Sequence, residues 1–324
     1  MTTYVNHLFF KESEELPMMK KHFKKLVNLA LTAVMVIGMS TTTFAKESNN
    51  ISNDTVTKTN NIIYSPEFPD AYIVTETSPA PNNYSLNNES KQLDTITATV
   101  FVEETLATDK NEDIYVSNSR LLSKDEVENI GIDNFSNINT MSTSRAAKRT
   151  YGKLTLTFSG SQSISGKSVS CKLNGNANWD FGAFTSSEKN PAIGKDFMGI
   201  TWSGLFTTNS SSCSATDLTG KVTYPTMVDS IANGGRVWSF EESLFEDHFA
   251  NYNKNINATI NIKKNTMTGN GNTAEAVLKY IHTYQKTTGS VSMNVGSDSV
   301  SAGFTLSNVK NQWSLVCNIT GIYY

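Results

Sequence analysis

The chain has 324 residues, of which 38% are hydrophobic and 18% charged, and its formal net charge is −3. The charged share is below the roughly 25% typical of soluble domains, and Ser, Thr, Asn and Gly fill the deficit; this disfavours a cytosolic, helix-rich enzyme and points to a secreted, strand-rich protein. No phosphate loop, dinucleotide fingerprint, nucleophile elbow or metal-ligand spacing occurs in it, so no cofactor is expected.

The first readable element begins at Met18. Lys20, Lys21, Lys24 and Lys25 form a basic stretch, and an apolar run follows from Leu26 to Met39. That run is too short for the roughly 20 residues of a membrane-spanning helix and suits a signal peptide. Thr43-Phe44-Ala45 places small residues for cleavage between Ala45 and Lys46, so residues 1–45 are expected to be removed on export. Residues 1–17 then imply either a true start at Met18 or Met19 or an unusually long leader. No later apolar run reaches 18 residues and position 46 is not Cys, so the expectation is a free, secreted, extracellular protein.

Charge divides the remainder. Residues 46–145 carry 7 basic and 16 acidic side chains, and residues 146–324 carry 15 and 11, giving nets of −9 and +4. Residues 46–91 are rich in Asn, Ser, Thr and Pro and cannot bury enough apolar surface to offset backbone ordering, so the acidic segment 46–149 is expected to be largely disordered. Within it, Thr95–Val102 alternates as a strand does, and Ser123 with Glu126 forms a capping box ahead of a short helix through Val127 and Ile130. The segment ends at Arg145, Lys148 and Arg149, an exposed basic strip that serves either as an interdomain linker or as a site for a processing protease. In the second case residues 46–149 are a propeptide masking a cationic domain.

From residue 150 a β-rich domain is expected, an antiparallel sandwich or barrel with two short helices. Leu154, Leu156 and Phe158 alternate with polar residues; further runs are Val169–Leu173, Phe197–Thr207, Leu218–Tyr224, Ile256–Ile262 and Trp313–Ile319, and Ser290–Val295 with Val300–Leu306 reads as a hairpin. The helices are placed after the Ser239/Glu242 capping box, on Phe240, Leu244, Phe245, Phe249 and Tyr252, and from Thr273, on Ala274, Val277, Leu278, Ile281 and Tyr284.

Little in this domain suggests catalysis. After Ala45 the only histidines are His248 and His282, which limits acid and base chemistry, and no acid or Cys spacing completes a metal site around them. The expectation is therefore not an enzyme; a hydrolase would need two of Asp180, Asp196, Glu241 and Glu242 to face each other. Export favours a disulfide among Cys171, Cys213 and Cys317, with Cys213, in a polar Ser-rich stretch, bonded to one of the two strand cysteines. Trp179, Trp202, Trp238 and Trp313 would stack on sugars if exposed together, but core positions are commoner for tryptophan.

In layout, with its signal peptide, acidic leader, cleavable basic strip and unmodified cationic domain, the chain resembles the precursors of large secreted bacteriocins of the geobacillin type. That resemblance implies a non-enzymatic antimicrobial effector or toxin acting at a cell envelope once the acidic propeptide is removed. The alternative from the residues is an adhesin-like or carbohydrate-binding β-sandwich. Partners on either view are a cell-envelope polymer, a glycan or a lipid surface, and the absence of a polybasic run argues against nucleic acid.

Overall fold

A computed structural model describes residues 61–80, 91–108, 110, 114–136, 148–181, 194–217, 220–241, 253–266, 272–284, 289–293 and 303–324. These lie within one compact unit, Lys58–Tyr324. The signal peptide with Ala45 and Lys46, the strip residue Arg145, and His248 and Glu242 fall outside the described residues.

The described fold is mainly β, with antiparallel sheets. One sheet has six strands in the order β1 (Ile63–Tyr64), β17 (Gln312–Tyr323), β14 (Thr273–Thr283), β8 (Lys195–Trp202), β12 (Gly235–Glu241) and β11 (Thr226–Ile231). The other has nine. Its main path is β10 (Val222–Thr223), β9 (Thr207–Asp217), β13 (Asn253–Lys264), β7 (Ser168–Phe181), β6 (Lys148–Ser165), β4 (Thr95–Thr108) and β2 (Ile73–Ser78), with β3 (Lys91–Gln92) on β6 and β5 (Ile114–Leu121) on β4.

Period-two alternation explains the nine-stranded sheet. Leu154, Leu156 and Phe158 on β6, Leu173, Ala177 and Trp179 on β7, and Ile256, Ala258, Ile260 and Ile262 on β13 point inward, each at most 1% exposed, while polar neighbours point out. The six-stranded sheet supplies the facing half of the core with Met198, Ile200, Trp202, Leu278, Tyr280, Trp313, Leu315 and Cys317. Its own outer side is partly covered as well. A small antiparallel pair, β15 (Ser290–Met293) and β16 (Phe304–Ser307), seats Met293, Phe304 and Leu306 on Phe197, Val237 and Ile281. Gly199 and Gly235 make that seat possible: a Cβ at Gly199 would lie 2.8 Å from the Phe304 ring, and one at Gly235 2.6 Å from Met293 Sδ.

One α-helix occurs among the described residues, α1 (Lys124–Ile130), with the expected capping box: the Ser123 amide donates to Glu126 Oε2 at 2.9 Å. Val127, and Phe135 from the 3-10 turn that follows, pack on Phe101 and Leu122 over the outer side of β4.

Three expectations are corrected. The helix placed from Thr273 is the strand β14: it is buried on both faces, so apolar residues fill nearly every position and their helical spacing is coincidental. Ser239 and Phe240 belong to β12, and the rest of that expected helix lies outside the described residues. The boundary at 149/150 does not divide the fold. Strands β1 to β5 precede it, and β4 pairs with β6 over eleven residue positions, from Ile96 opposite Phe158 to Leu106 opposite Lys148. The acidic segment, read as largely disordered apart from the expected strand Thr95–Val102 and the short helix, thus contributes Ile96, Val100 and Val102 from that strand, and Leu106 and Leu121 beyond it, each at most 4% exposed, to the buried interior.

Candidate functional site

The outward positions of five adjacent strands form one polar face. Register places Thr97, Thr157, Asn176, Asn257 and Ser214 in one row, Thr99, Thr155, Asn178, Asn255 and Thr216 in the next, and Ser159, Asn174, Thr259 and Ser212 in a third. Rows of this kind repeat about every 4.8 Å across the strands and about every 6.8 Å along them. None of these fourteen side chains is charged. They hold one another in place. Asn176 Nδ2 donates to Asn255 Oδ1 and Asn257 Oδ1, both at 2.8 Å, Asn257 Nδ2 donates to Asn255 Oδ1 at 2.7 Å, and Thr259 Oγ1 donates to Asn174 Oδ1 at 3.1 Å. Thr99 and Thr155 share a hydroxyl hydrogen bond at 3.0 Å.

Charge appears at the margins of the face: Glu76 stands opposite Thr97 on the flanking strand β2, and both ends carry charged side chains. At one, Lys153 and Asp180 pair at 3.2 Å. At the other, Lys172, Lys263 and Asn209 line a cavity of about 230 Å³, and Lys263 and Asn209 also border a neighbouring one of about 510 Å³ that includes Leu205 and Lys264. Fixed amides and hydroxyls with unused donors and acceptors suit a neutral, hydroxyl-bearing ligand. An anionic polymer would meet Glu76 and Asp180 at the margins as well as the lysines.

A second constellation is internal. Asp196, on the inward side of β8, is 0% exposed and accepts from the Tyr280 hydroxyl at 2.5 Å and the Thr283 amide at 2.8 Å, with His282 Nδ1 at 3.0 Å. On the other side of the imidazole, Nε2 lies 3.2 Å from Glu104 Oε1, at ion-pair distance but off the axis of a hydrogen bond. A proton on Nδ1 makes the ring a donor to Asp196, while Nε2 faces Glu104 without a hydrogen bond to it. Trp179 donates from Nε1 to the Tyr280 hydroxyl at 2.8 Å, and Trp179 and Trp313 stand 5.4 and 5.0 Å from the imidazole ring. Because Glu104 comes from the nine-stranded sheet and Asp196 and His282 from the six-stranded one, this acid, imidazole, acid order ties the two layers together. Neither cavity reaches it.

The remaining sequence expectations distribute as follows. All four tryptophans are at most 2% exposed, so none offers a sugar-stacking platform. Of the four carboxylates considered for hydrolysis, Asp180 is paired with Lys153 at the surface, Asp196 is in the internal network, and the Glu241 and Glu242 side chains lie outside the described residues. Lys148 and Arg149 open β6, where Arg149 is exposed and 3.8 Å from Glu103.

The disulfide expectation is overturned: Cys171, Cys213 and Cys317 are all free and buried. Cys171 stands opposite Ile262 and Cys213 opposite Ala258, four residues apart along β13 or about 13 Å, while Cys317 belongs to the other sheet; bridging needs Cα atoms within about 7 Å. The polar Ser-rich stretch around Cys213 is the strand β9, in which Cys213 points inward and is 7% exposed. Burial pushes the Cys171 and Cys213 thiols up to about 12, and Cys317 further still. Iodoacetamide at pH 8 is therefore expected to leave the folded protein unmodified and to label three thiols after denaturation; labelling of the native protein would contradict this burial.

No protein-family model matches the chain, and no curated protein does. Among solved structures, the collagen adhesin of S. aureus is similar at 9% identity, covering 67% of this chain and 88% of that one, with a TM-score of 0.22. The C-terminal domain of the AgI/II polypeptide of Streptococcus agalactiae is similar at 11% identity, covering 76% and 99%, also with a TM-score of 0.22. Superpositions this loose transfer neither topology nor function. The structure defines an antiparallel β-sandwich with a face of Thr, Ser and Asn and a buried acid, imidazole, acid network.

Proposed function

We propose that the protein is a secreted, non-catalytic binding protein, adhesin-like or carbohydrate-binding, that lays the outer face of its nine-stranded sheet on a neutral, hydroxyl-rich polymer of a cell surface. The observation that carries this reading is the fourteen-residue face of Thr, Ser and Asn, without a charge, preorganised by its own amide hydrogen bonds. Recognition would run through hydrogen bonds to amides and hydroxyls, since the tryptophans are internal.

Retention of the protein on washed cell walls, chitin and cellulose tests it. Replacing Asn176→Val together with Asn257→Val removes two amides while keeping strand-favouring side chains. At about 0.5 to 1.5 kcal/mol per net hydrogen bond, retention is expected to weaken roughly tenfold while the variant still melts cooperatively. Equal retention of variant and parent, or none of the parent on any polymer, would sink the reading.

A bacteriocin-like effector acting at an envelope is the second reading, favoured by an exposed apolar strip at 222–231. On this fold, cutting at Lys148 or Arg149 would leave β4 hydrogen-bonded to β6, so maturation would give a nicked assembly.

A further inference from the structure

Ten large hydrophobic side chains are exposed among the described residues, and five of them fall in one short stretch: Val222, Tyr224, Met227, Val228 and Ile231, at 51, 82, 44, 42 and 39%. Their place in the fold is distinctive. β10 is the last strand of the nine-stranded sheet and β11 the last of the six-stranded sheet, so the chain crosses here from one layer to the other along the open side of the sandwich. Val222 stands opposite Thr216 in one sheet, and Thr226 opposite Ser239 in the other.

An exposed apolar edge ordinarily invites a further strand. This one is blunted. The register of β11 on β12 shifts between Met227 and Asp229, Asp229 Oδ1 accepts the Ser230 amide at 2.7 Å, and Arg236 Nη1 donates to the Ile231 and Gly235 carbonyls at 2.8 and 2.7 Å. Pro225 has no amide to give. With the Ser230 amide and the Ile231 carbonyl engaged and a bulge at Met227–Asp229, part of the edge is closed to a further strand, and its apolar side chains remain exposed. The ionic residues of residues 221–236 are Lys221, Arg236 and Asp229, a net positive set, and aliphatic side chains beside Tyr with flanking cations are the composition that settles at a headgroup boundary.

We infer that the strip Val222–Ile231 is a lipid-docking edge, which seats Tyr224, Met227 and Val228 in the interface of an anionic membrane with Lys221 and Arg236 toward the headgroups. Val222, opposite Thr216, borders the polar face, but Tyr224, Met227 and Val228 are not among its residues, and the proposal does not rest on the polymer-binding reading. The bulge and the net positive charge of residues 221–236 favour an anionic lipid surface over a partner strand.

Flotation of the exported protein with phosphatidylcholine vesicles, with and without phosphatidylglycerol, tests it. The protein is expected to float with the anionic vesicles, and Tyr224→Ser with Val228→Ser is expected to cut the bound fraction roughly tenfold at an unchanged melting temperature and unchanged polymer retention. Lys221→Gln should weaken binding to anionic vesicles only. A parent protein that does not float, or a double variant that floats equally, would overturn the proposal. A concentration-dependent dimer in light scattering, abolished by the same two substitutions, would assign the strip to a second copy of the chain and overturn it equally.

Discussion

A chain trimmed to residues 150–324 is expected not to fold. Trimming removes β1 to β5 and with them Ile96, Val100, Val102, Leu106 and Leu121 from the buried interior. At about 1.5 to 3 kcal/mol for each large apolar side chain, the loss is about 8 to 15 kcal/mol, as large as the entire stability of a typical domain, about 5 to 15 kcal/mol. It also strips β6 of its partner along one side, exposing a long central strand to aggregation. Circular dichroism and amide exchange of the fragment should report an unfolded or aggregated chain, while residues 58–324 melt cooperatively. A soluble, cooperatively melting 150–324 fragment would mean that the N-terminal strands are an accessory layer.

The second large effect is at His282. Substituting His282→Leu leaves Glu104 and Asp196, 5% and 0% exposed, without the imidazole between them. Removing one member of a buried ionic group costs about 3 to 5 kcal/mol, because the charge left behind stays desolvated. Adding Glu104→Leu should recover part of that loss, since Asp196 keeps the Tyr280 hydroxyl and the Thr283 amide. Urea titrations with unchanged slope read both values. A loss under about 1 kcal/mol for the single variant, the level of an ordinary substitution, would show that the network does not join the layers.

Much of this architecture is written in the sequence as alternation. β6, β7 and β13 each bury one set of alternate positions, and the antiparallel pairing of β15 with β16 follows from two short apolar runs. Of the strands that escaped, two did so for opposite reasons. β9 is Thr-Thr-Asn-Ser-Ser-Ser-Cys-Ser-Ala-Thr-Asp, and its inward positions Cys213 and Ala215 are too small to register as a hydrophobic period. β14 is buried on both sides, so its apolar residues satisfy any period tried on them. Composition misled at longer range: the net charge of −9 and the prolines describe residues 46–145 on average, whereas the strands inside are only 2 to 14 residues long.

The sites were less legible. The polar face was visible only as an excess of Ser, Thr and Asn, because its rows exist through cross-strand register. The internal network joins Glu104 to Asp196 and His282, residues far apart in the chain, and no local motif marks such a set. One trace was available: Leu278, Tyr280 and His282 alternate on β14, so reading that segment as a strand would have put a histidine and a tyrosine into the core together.

The central structural claim is that the acidic segment and the C-terminal residues build one sandwich across the basic strip. Native mass spectrometry after limited cleavage at Lys148 or Arg149 tests it most directly. The account predicts a single species whose mass is that of both pieces, separating only in denaturant, because β4 remains paired with β6 and Glu104 remains beside His282. Spontaneous release of a folded C-terminal piece, with the acidic piece free in solution, would contradict it.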